Sequence, residues 1–247
     1  MPERVMLCIG TKKGLFVAEA PKTRRRFALR GPFGPGVAVH AALIDTRGTP
    51  RLYASSCNAF SGMKVLRSTD LGKTFRETKS APAFPKDDGR ALANIWSLEA
   101  GDHKQRLWCG VEPAALFRSS DGGDSWAMVP GISNHEHARQ RQPGNGGLCL
   151  HTVLRGGHRV HLGISTGGHY LSADGGGAWQ RLARGLPRKE SFFTVQRDAL
   201  AIDELTSSAL SFGTTTGQLW LGRDGGEGWS RLFDSLPPIH CVKAAVV

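Results

Sequence analysis

An all-β repeat architecture is what this 247-residue chain predicts, and three observations carry the prediction. One hexapeptide recurs four times, as "DLGKTF" (70–75), "DGGDSW" (121–126), "DGGGAW" (174–179) and "DGGEGW" (224–229). Its aspartates, Asp70, Asp121, Asp174 and Asp224, stand 51, 53 and 50 residues apart, a period typical of repeat folds built from one supersecondary unit per copy. The segments between the copies carry short apolar runs with strand-type patterning, in the same order each time.

Taken in order, each repeat reads as four strands. The first strands are "VAVHAALID", "ANIWSLEA", "LCLHTVL" and "RDALAID". The second are "VMLCIG", "RLYAS", "RLWCG", "RVHLG" and "ALSFG", each ended by a Gly or Ser. "GLFVAEA", "KVLRSTD", "ALFRSSD", "HYLSAD" and "QLWLGRD" are the third strands, and the runs from "FALRG", "FRETK", "WAMVP", "WQRLARGL" and "WSRLFDSL" the outermost. Only the N-terminal repeat lacks a first strand, and the C-terminal "IHCVKAAVV" fits that gap. The prediction is therefore a β-propeller of five four-stranded blades in a single domain, 1–247, closed by the C-terminal strand joining the N-terminal blade. Closure removes the exposed edges of an open array. No helix is required.

Within the hexapeptide, Asp can accept hydrogen bonds from the N–H groups of the following turn, and Gly can take the positive φ that the turn needs. The aromatic residue, Phe75, Trp126, Trp179 or Trp229, then starts the outermost strand and is expected to bury its ring. Around "APKTRRRF" the first copy has decayed, with Lys22 and Phe27 in the places of the acid and the aromatic.

"SSDGGDSW", "SADGGGAW" and "STDLGKTF" match the pattern S-x-D-x-G-x-T-W. The repeat resembles the Asp box (BNR repeat) of sialidases, sortilin-type receptors, reducing-end-specific xyloglucan hydrolases and a photosystem assembly factor. More closely, "GTKKGLF", "GVEPAALFRSSDGG", "GGLCLHT", "RDALAID" and "FGTTTGQL" are similar to a bacterial group of Asp-box propellers labelled exo-sialidase or glycosyl hydrolase by similarity. The resemblance covers nearly the whole chain. It implies an internal shortening between "LARGLP" and "RDALAID", because members of that group carry additional repeats. It also implies that Asp boxes lie on the face away from the active site, so the four repeated acids are structural and not catalytic.

Function is then expected on the opposite face, which carries the loops between second and third strands and the entries to first strands. Two of those segments, "APAFPKDDGRALAN" and "GISNHEHARQRQPGNGG", are far longer than a turn requires. Alignment of the first strands places His40, Trp96, His151, Asp198 and His240 at one height, a set suited to an anion, a sugar or a divalent metal. Ring-borne ligands of this kind stand far apart, so no metal and no cofactor is expected. Candidate carboxylates for glycoside hydrolysis are Glu112, Asp198 and Asp88, with Asp87 beside it, and Arg90, Arg141 and Arg197 are candidate anion contacts. True sialidase chemistry is disfavoured: the Arg-Ile-Pro segment found near the start of sialidases is missing, and the two tyrosines, Tyr53 and Tyr170, fall inside strands. "GISTGG" around Ser165 lacks the strand–elbow–helix setting of a serine nucleophile.

Composition narrows the classes further. No apolar run approaches the roughly 20 residues of a membrane-spanning helix, and "MPERVMLCIG" has no secretory pattern, so the expected compartment is the cytoplasm. Five scattered cysteines without C-x-x-C spacing suit neither a disulfide framework nor a zinc cluster. The net charge of +11 is concentrated at Arg24–Arg25–Arg26 and at Arg139 with Arg141, but no nucleic-acid motif or aromatic interleaving accompanies it. Two functions stay open: a scaffold binding a small polar or glycan ligand or a protein partner, and a divergent glycoside hydrolase.

Overall fold

The computed structural model describes residues 4–21, 28–58, 61–133, 135–143, 147–156, 158–165, 167–187, 194–195, 199–202, 209–235 and 239. By internal packing the chain divides into two compact units, Met1–Glu112 with Leu116–Met128, and Pro113–Ala115 with Val129–Val247. Every sheet in both is an antiparallel meander in chain order.

Three sheets belong to the first unit. One comprises β1 (Arg4–Thr11), β2 (Gly14–Pro21) and β3 (Ala28–Phe33). The next comprises β4 (Ala42–Asp45), β5 (Arg51–Asn58), β6 (Gly62–Ser68) and β7 (Arg76–Glu77). The third comprises β8 (Asn94–Ala100), β9 (Leu107–Glu112), β10 (Ala115–Ser119) and β11 (Ala127–Met128). The leading strands β1, β4 and β8 follow one another side by side. Apolar residues of the middle strands make the core, with Leu52, Tyr53, Leu107, Trp108, Leu116 and Phe117 fully buried.

The second unit holds two four-stranded sheets. These are β12 (Leu150–Gly156), β13 (Arg159–Ile164), β14 (Gly168–Ser172) and β15 (Gln180–Arg181), then β16 (Leu200–Ile202), β17 (Leu210–Gly213), β18 (Leu219–Gly222) and β19 (Ser230–Phe233). Its core gathers Leu200, Leu210, Phe212, Trp220 and Trp229. The expected strand order holds for the described residues, among which the N-terminal sheet has the three strands read from its own repeat. Of the C-terminal segment meant to complete it, only Ile239 is described, donating its N–H to the Thr214 carbonyl at 3.0 Å. The decayed first hexapeptide copy, with Lys22 and Phe27, lies outside the described residues.

Two sequence expectations need correction. The chain does contain helix: a single turn, α1 (Pro130–Ser133), and a 3₁₀ turn at Glu136–Gln140. Pro130 presets the φ of a first helical residue, and the His135 ring accepts the His137 N–H to cap the 3₁₀ turn. The hexapeptide aromatics are also less buried than expected. Only Trp229 is buried, whereas Phe75, Trp126 and Trp179 are half-buried. The reason is local: Trp126 and Trp179 fold back over their own turns and donate Nε1–H to Gly123 O (3.1 Å) and Gly176 O (3.2 Å). Phe75 leans on Phe33 at 4.9 Å.

The hexapeptide turns themselves are dense in hydrogen bonds. Ser68, Ser119 and Ser172 each donate to the following Asp carboxylate at 2.7–2.8 Å and accept a Gly N–H at 2.8 Å. Asp70 collects the N–H groups of Lys73 and Thr74 and the Thr74 hydroxyl. Asp121 collects the Ser125 N–H and hydroxyl, and Asp174 the N–H groups of Gly177 and Ala178. In the fourth copy Gly222 replaces the serine, and Asp224 holds the Gly228 N–H and the Arg184 guanidinium. The residue after each Asp is left-handed, Gly122, Gly175 and Gly225 in three copies and Leu71 at φ 60° in the other. Leucine there carries a steric cost on the order of 1 kcal/mol that glycine avoids.

Candidate functional site

In a meander, the loop between second and third strands lies at the opposite end from the turn between third and fourth. The described hexapeptide turns therefore occupy one end of each four-stranded sheet, and His40, Trp96, Glu112 and His151 lie towards the other end of theirs. In the first unit this end brings His40, Trp96 and Glu112 into contact. His40 lies two residues before β4, and its N–H and that of Ala41 both donate to Ser55 Oγ at 3.0 Å, fixing the entry of the chain. Its exposed ring lies 4.7 Å from the Trp96 ring, tilted by 57°. Trp96 Nε1–H donates to Glu112 Oε2 at 2.8 Å.

A register break puts Trp96 there. Pairing of β8 with β9 skips from Ile95 to Ser97, so Trp96 is the extra residue of a bulge. Bulges redirect a side chain out of the pleat alternation and recur beside functional sites. The same break recurs in the second unit, where pairing of β12 with β13 skips from Leu150 to Thr152 and makes His151 the extra residue. His151 is buried, with Nδ1 2.7 Å from Thr152 Oγ1. Gly163 is the residue beneath it: a Cβ there would stand 3.4 Å from His151 Cε1 and 3.2 Å from Thr152 Cβ. Sequence placed Trp96 and His151 on the first strands of their repeats, as β8 and β12 bear out, and the bulge each occupies was not legible there.

The carboxylate candidates differ in their surroundings. Glu112 ends β9 and is engaged by the indole. Asp88 is gripped by Arg90, whose Nη2 lies 2.7 Å from Oδ2, and this pairing holds its carboxyl below the ordinary range despite partial desolvation. Arg90 also packs over the Phe84 ring at 4.3 Å and reaches Met128 Sδ at 3.7 Å, so its guanidinium braces the long 81–94 segment. Asp87 is exposed. Asp198, Arg197 and His240 lie outside the described residues.

Arg141 is buried in the second unit, its guanidinium 4.9 Å from the Tyr170 ring centre. His135 meets the same ring edge-on at 4.9 Å and stacks on His137 at 5.0 Å. Sequence reading singled out Arg141 and missed the two histidines, although "HEH" in the long 131–147 segment was the available signal. Both tyrosines are fully buried, and Tyr53 donates its hydroxyl to Gly122 O at 3.1 Å. Ser165 faces Cys149, Oγ to Sγ 3.2 Å. Among the described residues, no group of three or more His, Cys, Asp or Glu side chains is placed to hold a metal ion.

No protein-family model and no curated protein matches the sequence. Solved structures do. The GH74 xyloglucanase of Xanthomonas campestris superposes with a TM-score of 0.65 over 93% of this chain, at 21% identity. A GH74 enzyme from Niastella koreensis gives 0.57 over 90%, at 17% identity, and the computationally designed Ika8 protein gives 0.55 over 96%, at 13% identity. The chain spans 36% and 34% of the two GH74 structures and 61% of Ika8. At these identities the likeness is one of fold: the chain is all-β, built of antiparallel sheets, and propeller-like. Among the described residues no helix is long and apolar enough to cross a membrane.

Proposed function

We propose that the chain is a binding module, a single Asp-box propeller of five blades over 1–247 whose C-terminal strand completes the N-terminal sheet, and that its loop end takes a small polar or glycan ligand or a protein partner. The observation that carries this reading is the contact set His40–Trp96–Glu112. A tilted pair of rings beside a carboxylate combines an apolar face with polar handles, the usual makeup of a site for a partly apolar, hydroxyl-rich ligand. His40 and Trp96 supply ring faces, and Glu112 supplies an acceptor. The turn acids Asp70, Asp121, Asp174 and Asp224 serve architecture in this reading, since each accepts from N–H groups of its own turn and Asp224 also holds Arg184.

A second reading, a divergent glycoside hydrolase using Glu112 with Asp198 or Asp88, draws support from the fold shared with a xyloglucanase. Paired-carboxylate hydrolysis requires one carboxyl to keep its proton near neutral pH. Asp88 is held the other way by Arg90, so in that pair Asp88 would be the ionised base or nucleophile and Glu112 the acid.

Titration with xyloglucan oligosaccharides and a set of aryl glycosides, sialosides included, tests both. Saturable binding that weakens at least about tenfold in Trp96→Ala, without release of reducing ends, supports the binding module. Turnover abolished by Glu112→Gln supports the hydrolase. Neither binding nor turnover removes glycans from the proposal and leaves the protein-partner form of it.

A further inference from the structure

We propose that Arg141, with Tyr170 and His135, forms an oxyanion-binding site in the second unit, one that takes the phosphate or carboxylate group of a ligand. This site does not depend on the His40–Trp96–Glu112 reading.

Arg141 is only 7% exposed, and among the described residues neither its Nε nor its Nη2 has a hydrogen-bond partner. Buried charges are ordinarily paired, because desolvation without a counter-charge is strongly unfavourable. The face of Tyr170 offsets part of that cost, but a ring face accepts none of the guanidinium's directed N–H bonds. Nε and Nη2 form one edge of the guanidinium, the fork whose two parallel donors fit the two oxygens of a carboxylate or phosphate. The hydroxyl of fully buried Tyr170 is likewise without a partner.

The surrounding segment is poor in acids. Segment 131–147 holds one acid, Glu136, against His135, His137, Arg139 and Arg141. Glu136 points its carboxylate outward, 82% exposed, and lies 3.8 Å from His137 Nδ1. Arg141 and Arg181 both lie against the turn joining β13 to β14: a Cβ on Gly167 would stand 3.3 Å from Arg141 Cδ, and one on Gly168 would stand 3.1 Å from Arg181 Nε. Burial, then the charges of His137 and Arg141, hold the His135 imidazole below its ordinary range, as a locality short of negative charge would. A side chain kept only for packing would be better served by methionine at this position. A guanidinium edge left open in a positive locality is what an anion completes.

The test is calorimetric titration of the full chain with inorganic phosphate and, separately, with acetate, at constant ionic strength in chloride. Saturable binding of phosphate alone assigns a phosphoryl ligand, and of acetate alone a carboxylate ligand. In either case Arg141→Lys, which keeps the charge and loses the fork, weakens binding at least about tenfold, and Tyr170→Phe weakens it severalfold. In anion-free buffer Arg141→Met melts at or above the wild-type temperature, because an uncompensated buried charge is gone. The proposal is overturned if neither anion binds below about 10 mM, or if Arg141→Lys binds as the wild type does. It is also overturned if Arg141→Met melts well below the wild type in anion-free buffer, since that marks Arg141 as structural.

Discussion

Asp174 and Arg141 both carry a full charge on an irregular stretch of the second unit, and they are treated in opposite ways. Asp174 is exposed, yet its carboxylate accepts from the Ser172 hydroxyl and from the N–H groups of Gly177 and Ala178, all within its own turn. These bonds hold it below the ordinary carboxylate range, the Ser172 hydroxyl first. Arg141 is buried, where a partner matters most, and its Nε and Nη2 have none among the described residues. A charge satisfied by neighbours four residues away is there to shape the chain. One left open in the interior is there for something that comes from outside.

The largest effect should come from the turn that departs most from the pattern. With Gly222 in place of the serine, the fourth turn relies on its aromatic residue. Trp229 is buried, packs on Phe212 at 4.7 Å and donates to Leu182 O at 3.1 Å. Trp229→Ala should cost about 3–5 kcal/mol in chemical denaturation, against about 1–3 kcal/mol for half-buried Trp126→Ala. Equal losses would mean that the turns share one mode of support.

Smaller, and opposite in rank, is the effect of the acids. Asp121→Ala removes bonds from the Ser119 and Ser125 hydroxyls and the Ser125 N–H, and should cost about 2 kcal/mol. Asp224→Ala removes the Gly228 N–H bond and an exposed pair with Arg184, and should cost under about 1 kcal/mol. Urea midpoints that reverse this order would contradict the account of the turns.

Acid should separate buried histidines from turn acids. His161 and His169 are buried, stacked at 5.2 Å, with Nδ1 of the first 3.1 Å from Nε2 of the second. Burial pushes His161 down from 6.5 to about 4 and His169 down as well. Between those pH values the unfolded chain takes up protons that the folded chain refuses, so this contribution is intact above pH 6.5 and lost as pH falls towards 4. Partial burial raises the Asp121 carboxyl, but the Ser125 and Ser119 bonds outweigh it and bring it down to about 2. Its contribution is present above 3.8 and lost as pH falls through about 2. Melting temperatures should therefore fall in two stages, the first of which flattens in the His161→Gln/His169→Gln variant. A single stage below pH 4 would show that the histidine pair opens freely.

Strand order, the missing first strand of the N-terminal repeat and the chemistry of the turns were all written in the chain. Each depends on residues within a few positions of one another: an Asp, a left-handed Gly, a Ser two residues before. So was the placing of Trp96 and His151 on first strands, because repeat spacing is itself a sequence quantity. Tertiary structure alone decided that both occupy bulges, that the indole of β8 meets the carboxylate at the end of β9, and that Tyr170 of β14 lies beneath Arg141 from the long loop. Those contacts join residues from 16 to 29 positions apart on different segments, and their geometry follows from pairing register and loop path. A local pattern specifies a turn because the interacting groups travel together along the chain. A site assembled across strands is specified only once the strands have found their register.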